Sequence, residues 1–138
     1  MTRTLSIAPP LIEAIREAAR RAYPNECCGL IEGMSAADGW HAHAVHETGN
    51  LSEEPSRAFL IDPEAHFRVL RGLRGSGHEI IGCFHSHPDG HAEPSERDRR
   101  EAADDGFVWI VAGADDVRVY VFRAARAAFE ELALNRTG

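Results

Sequence analysis

The chain has 138 residues, 43 % of them hydrophobic and 27 % charged, which is the make-up of one water-soluble globular domain spanning 1–138. A net charge of −7 excludes a general nucleic-acid binder, and no apolar run approaches the roughly 20 residues that cross a membrane. All fifteen basic residues are Arg, so Schiff-base and P-loop chemistries, which need Lys, are excluded as well.

In chain order, the N-terminus lacks the apolar segment of a secretory signal. Pro9-Pro10 opens a helix to about Ala22, with Leu11, Ile12, Ile15, Ala18, Ala19 and Ala22 on one stripe. Tyr23-Pro24 stops it, because a residue before proline avoids the helical region. Residues 27–33 read as a strand, 35–39 as a turn, 40–48 as a second strand and 59–61 as a short third. Asp62, as N-cap, and Pro63 start a helix whose apolar stripe is Ala65, Phe67, Val69, Leu70 and Leu73. Residues 79–87 form a strand and 95–104 a third helix. Residues 107–112 and 117–123 form a hairpin, and 127–134 suits either strand or helix. Strands that alternate with helices but also pair locally predict an α/β (α+β) domain with a mixed sheet flanked by helices.

The chemistry concentrates in residues 85–98. His85 and His87 are two apart, so on a strand both imidazoles point to one face. Pro88 ends the strand, a seven-residue loop follows, and Pro94-Ser95 begins a helix. Ser95 and Asp98 lie on one side of its first turn. Folded back over the strand end, Asp98 supplies a third ligand and leaves a fourth position to water, the pattern of a catalytic rather than a structural zinc site. Taken alone, Ser95 and Asp98 are an ordinary capping box with Asp in place of Glu, and His-x-His alone is often just a polar face. Together, with proline at both ends of the loop, they read as a metal site.

The pattern His85-x-His87, seven residues, Ser95, two residues, Asp98 resembles the JAMM (MPN-plus) metalloprotease motif at every defining position. Tyr23 through Gly33 looks like the family's segment where a catalytic Glu precedes a strand, and Asn50 and 59–63 resemble further landmarks. The likeness covers about residues 5–125 and fits the stand-alone prokaryotic type. It implies a curved, mostly antiparallel sheet between helices, similar in layout to cytidine deaminase. It implies Zn2+ held by His85, His87 and Asp98. Glu26 would act as general base, taking a proton from the metal-bound water and passing it to the leaving amine, and Ser95 would hydrogen-bond the tetrahedral intermediate or the water. From its own residues, Glu26 reads as a solvated group after a turn, because nothing local brings it near His85. The implied activity is a zinc-dependent hydrolase of peptide or isopeptide bonds at the C-terminal tail of a ubiquitin-like or sulfur-carrier protein. The tail would add alongside a sheet edge.

Other readings stay open: a peptidase for phage tails or cell walls, a non-catalytic MPN-type interaction module, or a closed structural metal site. His41 and His43 form a second His-x-His with His46 following, but no carboxylate follows at ligand spacing, so they read as the polar face of a strand. His91 reads as solvated, and His66 and His78 as surface residues. Cys27, Cys28 and Cys83 read as small buried hydrophobes. Their odd count and the adjacent pair fit a reducing cytoplasmic compartment better than a disulfide framework. The sequence leaves oligomeric state open, a homodimer included.

Overall fold

The computed structural model describes residues 3–136. Seven strands and three helices follow in the order β1 (Thr4–Ser6), α1 (Pro9–Ala22), β2 (Cys28–Ala36), β3 (Gly39–Thr48), α2 (Pro63–Gly72), β4 (Glu79–Ser86), α3 (Glu96–Glu101), β5 (Val108–Ala112), β6 (Val117–Arg123) and β7 (Ala128–Asn135). The sheet is mixed, as expected. β2 pairs antiparallel with β3 and β4, as does β6 with β5 and β7, while β4 and β5 run parallel.

The curvature goes further than the sequence indicates. β1, too short to register as a strand pattern, pairs parallel with both β3 and β7 and closes the sheet into a barrel ordered β1-β3-β2-β4-β5-β6-β7. Closure rests on β1 alone, which pairs with only Gly39–His41 of β3 and Ala133–Asn135 of β7, so most of the length of those two strands has no strand partner on that side. β4 itself is flanked by β2 and β5.

α1 buries Ile12, Ile15 and Ala18 against the core formed with Leu5, Phe84, Ile110 and Val119. Its prolines sit at the helix start and its basic Arg20 and Arg21 in the last turn, where the helix dipole favours them. The turn after β2 is tighter than expected. β2 runs on to Ala36, and the chain reverses at Ala37 and Asp38 into Gly39, whose φ of +139° only glycine adopts without strain.

Three other expectations need correcting. Residues 59–61 form only an isolated bridge, Asn50 to Ile61, because Asn50 takes the neighbouring backbone groups with its side chain. The third helix stops at Glu101, since Ala102 turns to an extended conformation. The apolar stripe of α2 is mostly not core: only Ala65 is buried, while Phe67 and Leu70 are about half exposed. The N-terminal features of α2 are as expected, with Pro63 first and the Asp62 carboxylate accepting from Glu64 N at 2.9 Å. Residues 128–135 resolve as strand. No helix among the described residues is long and apolar enough to cross a membrane.

Candidate metal centre

The C-terminal end of β4 carries His85, paired opposite Cys28 of β2 and Val111 of β5, at the point where three strands end together. His87 lies one residue past the strand, and its N–H still donates to Ala112 O at 2.9 Å, so the extended course holds and both imidazoles face the same side. Pro88 breaks the ladder. Gly90, at φ +92°, turns the loop, and its carbonyl accepts from Ala114 N at 3.2 Å. Tyr120 Oη donates to Ala92 O at 2.9 Å, which fixes the loop's return.

α3 then starts with a reciprocal capping box. Ser95 Oγ accepts from Asp98 N at 3.0 Å, and Ser95 N donates to Asp98 Oδ2 at 2.8 Å. That same Oδ2 lies 3.0 Å from His85 Nε2 and 3.1 Å from His87 Nε2, and the two Nε2 atoms are 3.0 Å apart. Capping box and ligand are therefore one geometry: the cap aims the carboxylate at the histidines.

These three contacts cannot all be hydrogen bonds. His87 Nδ1 is 2.8 Å from the His91 carbonyl, which only accepts, so Nδ1 carries the proton and a neutral ring presents a bare lone pair at Nε2. His85 can lend one proton to one neighbour. At least one lone pair of His87 or Asp98 then faces another at about 3 Å, out of water. A divalent cation over the triangle satisfies all three atoms, and the donor set of two imidazoles and a carboxylate suits zinc. The carbonyl of His91 sets the ring orientation of the ligand, as partners outside the coordination sphere commonly do.

Two of the three protonation states suit a metal as they stand. Burial lowers His85, which favours the neutral ring a metal needs. Burial works against the charge of Asp98, but the hydrogen bonds to His85 and His87 outweigh it and hold the carboxyl well below the usual range. Burial also opposes charge on His87, and the neighbouring Asp98 and the His91 carbonyl outweigh it and raise its affinity for a proton.

Glu26 arrives from outside the loop. It lies two residues before the β2 position paired with His85, and its backbone is clamped: its N–H donates to Pro55 O at 2.7 Å, and Asn50 Nδ2 donates to its carbonyl at 3.1 Å. Ser86 Oγ accepts from Cys27 N at 2.9 Å and pins the segment to β4. A Glu26 carboxylate oxygen and one nitrogen each of His85 and His87 all fall within 4.8 Å of one another, close enough to offer an alternative ligand set. The Asp98 triangle, with its three atoms 3.0 to 3.1 Å apart, is tighter. Glu26 Oε1 is buried without a hydrogen-bond partner, and burial pushes the carboxyl up to about 7. The residue is not solvated, contrary to its local reading; strand pairing brings it to His85.

Asn50 is more than a landmark. Its side chain makes four hydrogen bonds, donating to Glu26 O and Ala58 O and accepting from Ser52 N and Leu60 N. Phe59 stacks on the His85 ring with centroids 4.4 Å apart. Neither role leaves a spacing signal. Cys27, Cys28 and Cys83 are buried free thiols, pushed up by burial, in keeping with packing. His41 pairs with Asp38 at 3.2 Å. Two clefts meet at His87 and Pro88. One, of about 380 Å³, is lined by Glu26, Arg57, His91 and Ser95; the other, of about 340 Å³, by Arg16, Tyr23 and Asn25.

Residues 8–127 match the family described as prokaryotic homologs of the JAB domain. The chain is 32 % identical over 105 residues to the desampylase of Haloferax volcanii, covering 76 % of this chain and 74 % of that protein. It is 32 % identical over 111 residues to the probable TtuB-protein conjugate cleaving protease of Thermus thermophilus, covering 80 % and 71 %. The solution structure of a protein from Desulfitobacterium hafniense superimposes with a TM-score of 0.84 at 25 % identity, covering 96 % of this chain and 92 % of that one.

Proposed function

The chain belongs to the family of prokaryotic homologs of the JAB domain, and from that premise we propose that it is a zinc-dependent peptidase. Its substrate is a peptide or isopeptide bond at the C-terminal tail of a ubiquitin-like or sulfur-carrier protein. The observation that carries this reading is the buried, unpartnered Glu26 Oε1 beside the His85–His87–Asp98 triangle. A carboxylate kept out of water with no partner destabilises the fold, and a proton-transfer role accounts for it.

His85, His87 and Asp98 would hold the ion. Zinc bound there supplies a water of pKa near 7 and polarises the scissile carbonyl. Glu26, a buried carboxyl that burial raises to about 7 in the metal-free chain, is placed to accept a proton from the attacking water and return it to the leaving amine. A carboxylate oxygen of Glu26 lies within 4.8 Å of a nitrogen of each histidine, within reach of a group held beside them. The Ser95 hydroxyl receives the Asp98 N–H on its oxygen, which leaves its own proton free to donate into the cleft it lines, toward the developing oxyanion. The two clefts meeting at His87 take the tail on one side of the bond and the amine-bearing group on the other. A non-catalytic module needs no such ligands, and a closed structural site needs a fourth ligand as near as Asp98, which Glu26 is not.

The test uses the full chain loaded with zinc and a small ubiquitin-like protein extended beyond its terminal glycines. Cleavage at the end of the tail is expected for the wild type, with none after chelation and almost none for Glu26→Gln. Full activity in both controls overturns the reading.

A further inference from the structure

The other end of β4 carries a second histidine cluster, and it does have a carboxylate. Glu32 of β2 is buried, and its two oxygens take different partners: His46 Nε2 lies 2.9 Å from Oε1, and His78 Nδ1 lies 2.7 Å from Oε2. The His43 ring sits beside that of His78, with centroids 4.2 Å apart. One ligand atom each from Glu32, His43 and His78 falls within 4.8 Å of the other two.

Two strand irregularities build this arrangement. Glu32 pairs with Ala44 and Gly33 with Ala42, so His43 is the extra residue of a bulge in β3. On the other side, Ile31 pairs with Gly82 and Glu32 with Ile80, so Ile81 is the extra residue in β4. In a regular strand His43 and His46 would point to opposite faces. A bulge re-aims the side chain it displaces, and His43 turns to the face that carries Glu32 and His46. Both bulges meet at Glu32.

We propose that Glu32, His43 and His78 form a second divalent transition-metal site, of the zinc class, with His46 bracing the carboxylate from its far oxygen. Two imidazoles and one carboxylate, open to solvent on the exposed side of His43, are a donor set such ions take with water in the remaining position. A histidine on the non-ligating oxygen is the kind of outer partner that orients a metal carboxylate. The carboxylate is ready: burial opposes its charge, but the bonds to His78 and His46 outweigh burial and hold Glu32 below its ordinary value. Bound there, an ion ties β2, the β3 bulge and the residue entering β4 into one clamp, at the far end of the strand that delivers His85. The site stands whether or not the peptidase reading holds.

The test titrates the metal-stripped full chain with Zn2+, and with Co2+ followed by its visible absorption. Two equivalents per chain are expected, one lost in Asp98→Ala and the other in His78→Ala. His43→Ala, at an exposed position that does not threaten folding, removes the second equivalent as well, and His46→Ala weakens it about 10- to 100-fold. In an Asp98→Ala background Zn2+ still raises Tm, and that rise disappears when His78→Ala is added. A wild type in which no equivalent of Zn2+ is lost on His43→Ala and His78→Ala, whatever its total, overturns the proposal.

Discussion

The two ends of β4 solve the same problem, gathering histidines around a carboxylate, in opposite ways. At the C-terminal end the strand is regular: His85 and His87 face one way because a strand alternates, and a capping box brings Asp98 over them. At the N-terminal end, about 13 Å away by the four residues of β2 from Cys28, opposite His85, to Glu32, the sheet is irregular, and His43 joins Glu32 and His78 only because two bulges meet there. The first site is buried and leaves one carboxylate oxygen of Glu26 unpartnered; the second is partly open, and both oxygens of Glu32 are engaged. Idle polarity held out of water is what a reaction centre needs, whereas a satisfied carboxylate is what a structural clamp needs.

Removing one ligand at each end sharpens that contrast most. Asp98→Ala should bring peptidase activity to background and abolish binding of the metal at the catalytic end, measured by turnover and by metal content. His78→Ala should leave kcat/KM within about 2-fold, in the range expected of a substitution remote from the chemistry. Equal losses in both would break the distinction between reaction centre and clamp. Glu26→Gln comes next: kcat should fall about 10²- to 10⁴-fold, the usual span for losing a general base, while the zinc content stays that of the wild type. Loss of zinc along with activity would make Glu26 a ligand instead.

The same contrast governs what the sequence reveals. His85, His87, Ser95 and Asp98 lie within fourteen residues, and their convergence follows from strand period and helix capping, both of which are local rules. Glu26 follows from the family likeness alone, because its approach depends on the β2–β4 register, set by packing across the whole sheet. The Glu32 cluster escapes a search for carboxylates downstream of His43, since its carboxylate stands upstream on the neighbouring strand and a bulge depends on both strands at once. Barrel closure escapes for a similar reason: it rests on three residues, Thr4 to Ser6, whose pairing is wholly non-local. The half-exposed Phe67 and Leu70 show the converse error, since an amphipathic pattern does not guarantee a surface to cover it.

Ser95 tests whether the cap and the ligand are one device. Ser95→Ala removes the hydroxyl that receives Asp98 N at 3.0 Å, but keeps the backbone N–H that holds Asp98 Oδ2. Stability should drop by about 1 kcal/mol, the ordinary cost of an N-cap. Zinc affinity should weaken about 10-fold, at the low end of the range for a lost outer partner, because half of the clasp survives. An unchanged affinity would make the cap merely structural.

The smallest effect, on stability alone, has opposite signs at the two ends. Burial raises Glu26 from the ordinary glutamate range to about 7, so the folded, metal-free chain holds that proton more tightly than the unfolded chain. The stability this contributes is complete below about pH 4.5 and is lost as pH climbs through 7. In the metal-stripped protein, Glu26→Gln should therefore be the more stable by about 1–2 kcal/mol at pH 8, solvent screening having trimmed the full shift, and should match the wild type near pH 4. At the other end the bonds to His78 and His46 overcome burial and lower Glu32, so its contribution is present above the unfolded value and fades as pH falls. Glu32→Gln should be the less stable at pH 8, and the gap should narrow on acidification. Urea unfolding of both variants at the two pH values reads this directly. A Glu26→Gln that is the less stable at pH 8, like Glu32→Gln, would mean that Glu26 finds a partner in solution, and the unpaired carboxylate at the reaction centre would have to be given up.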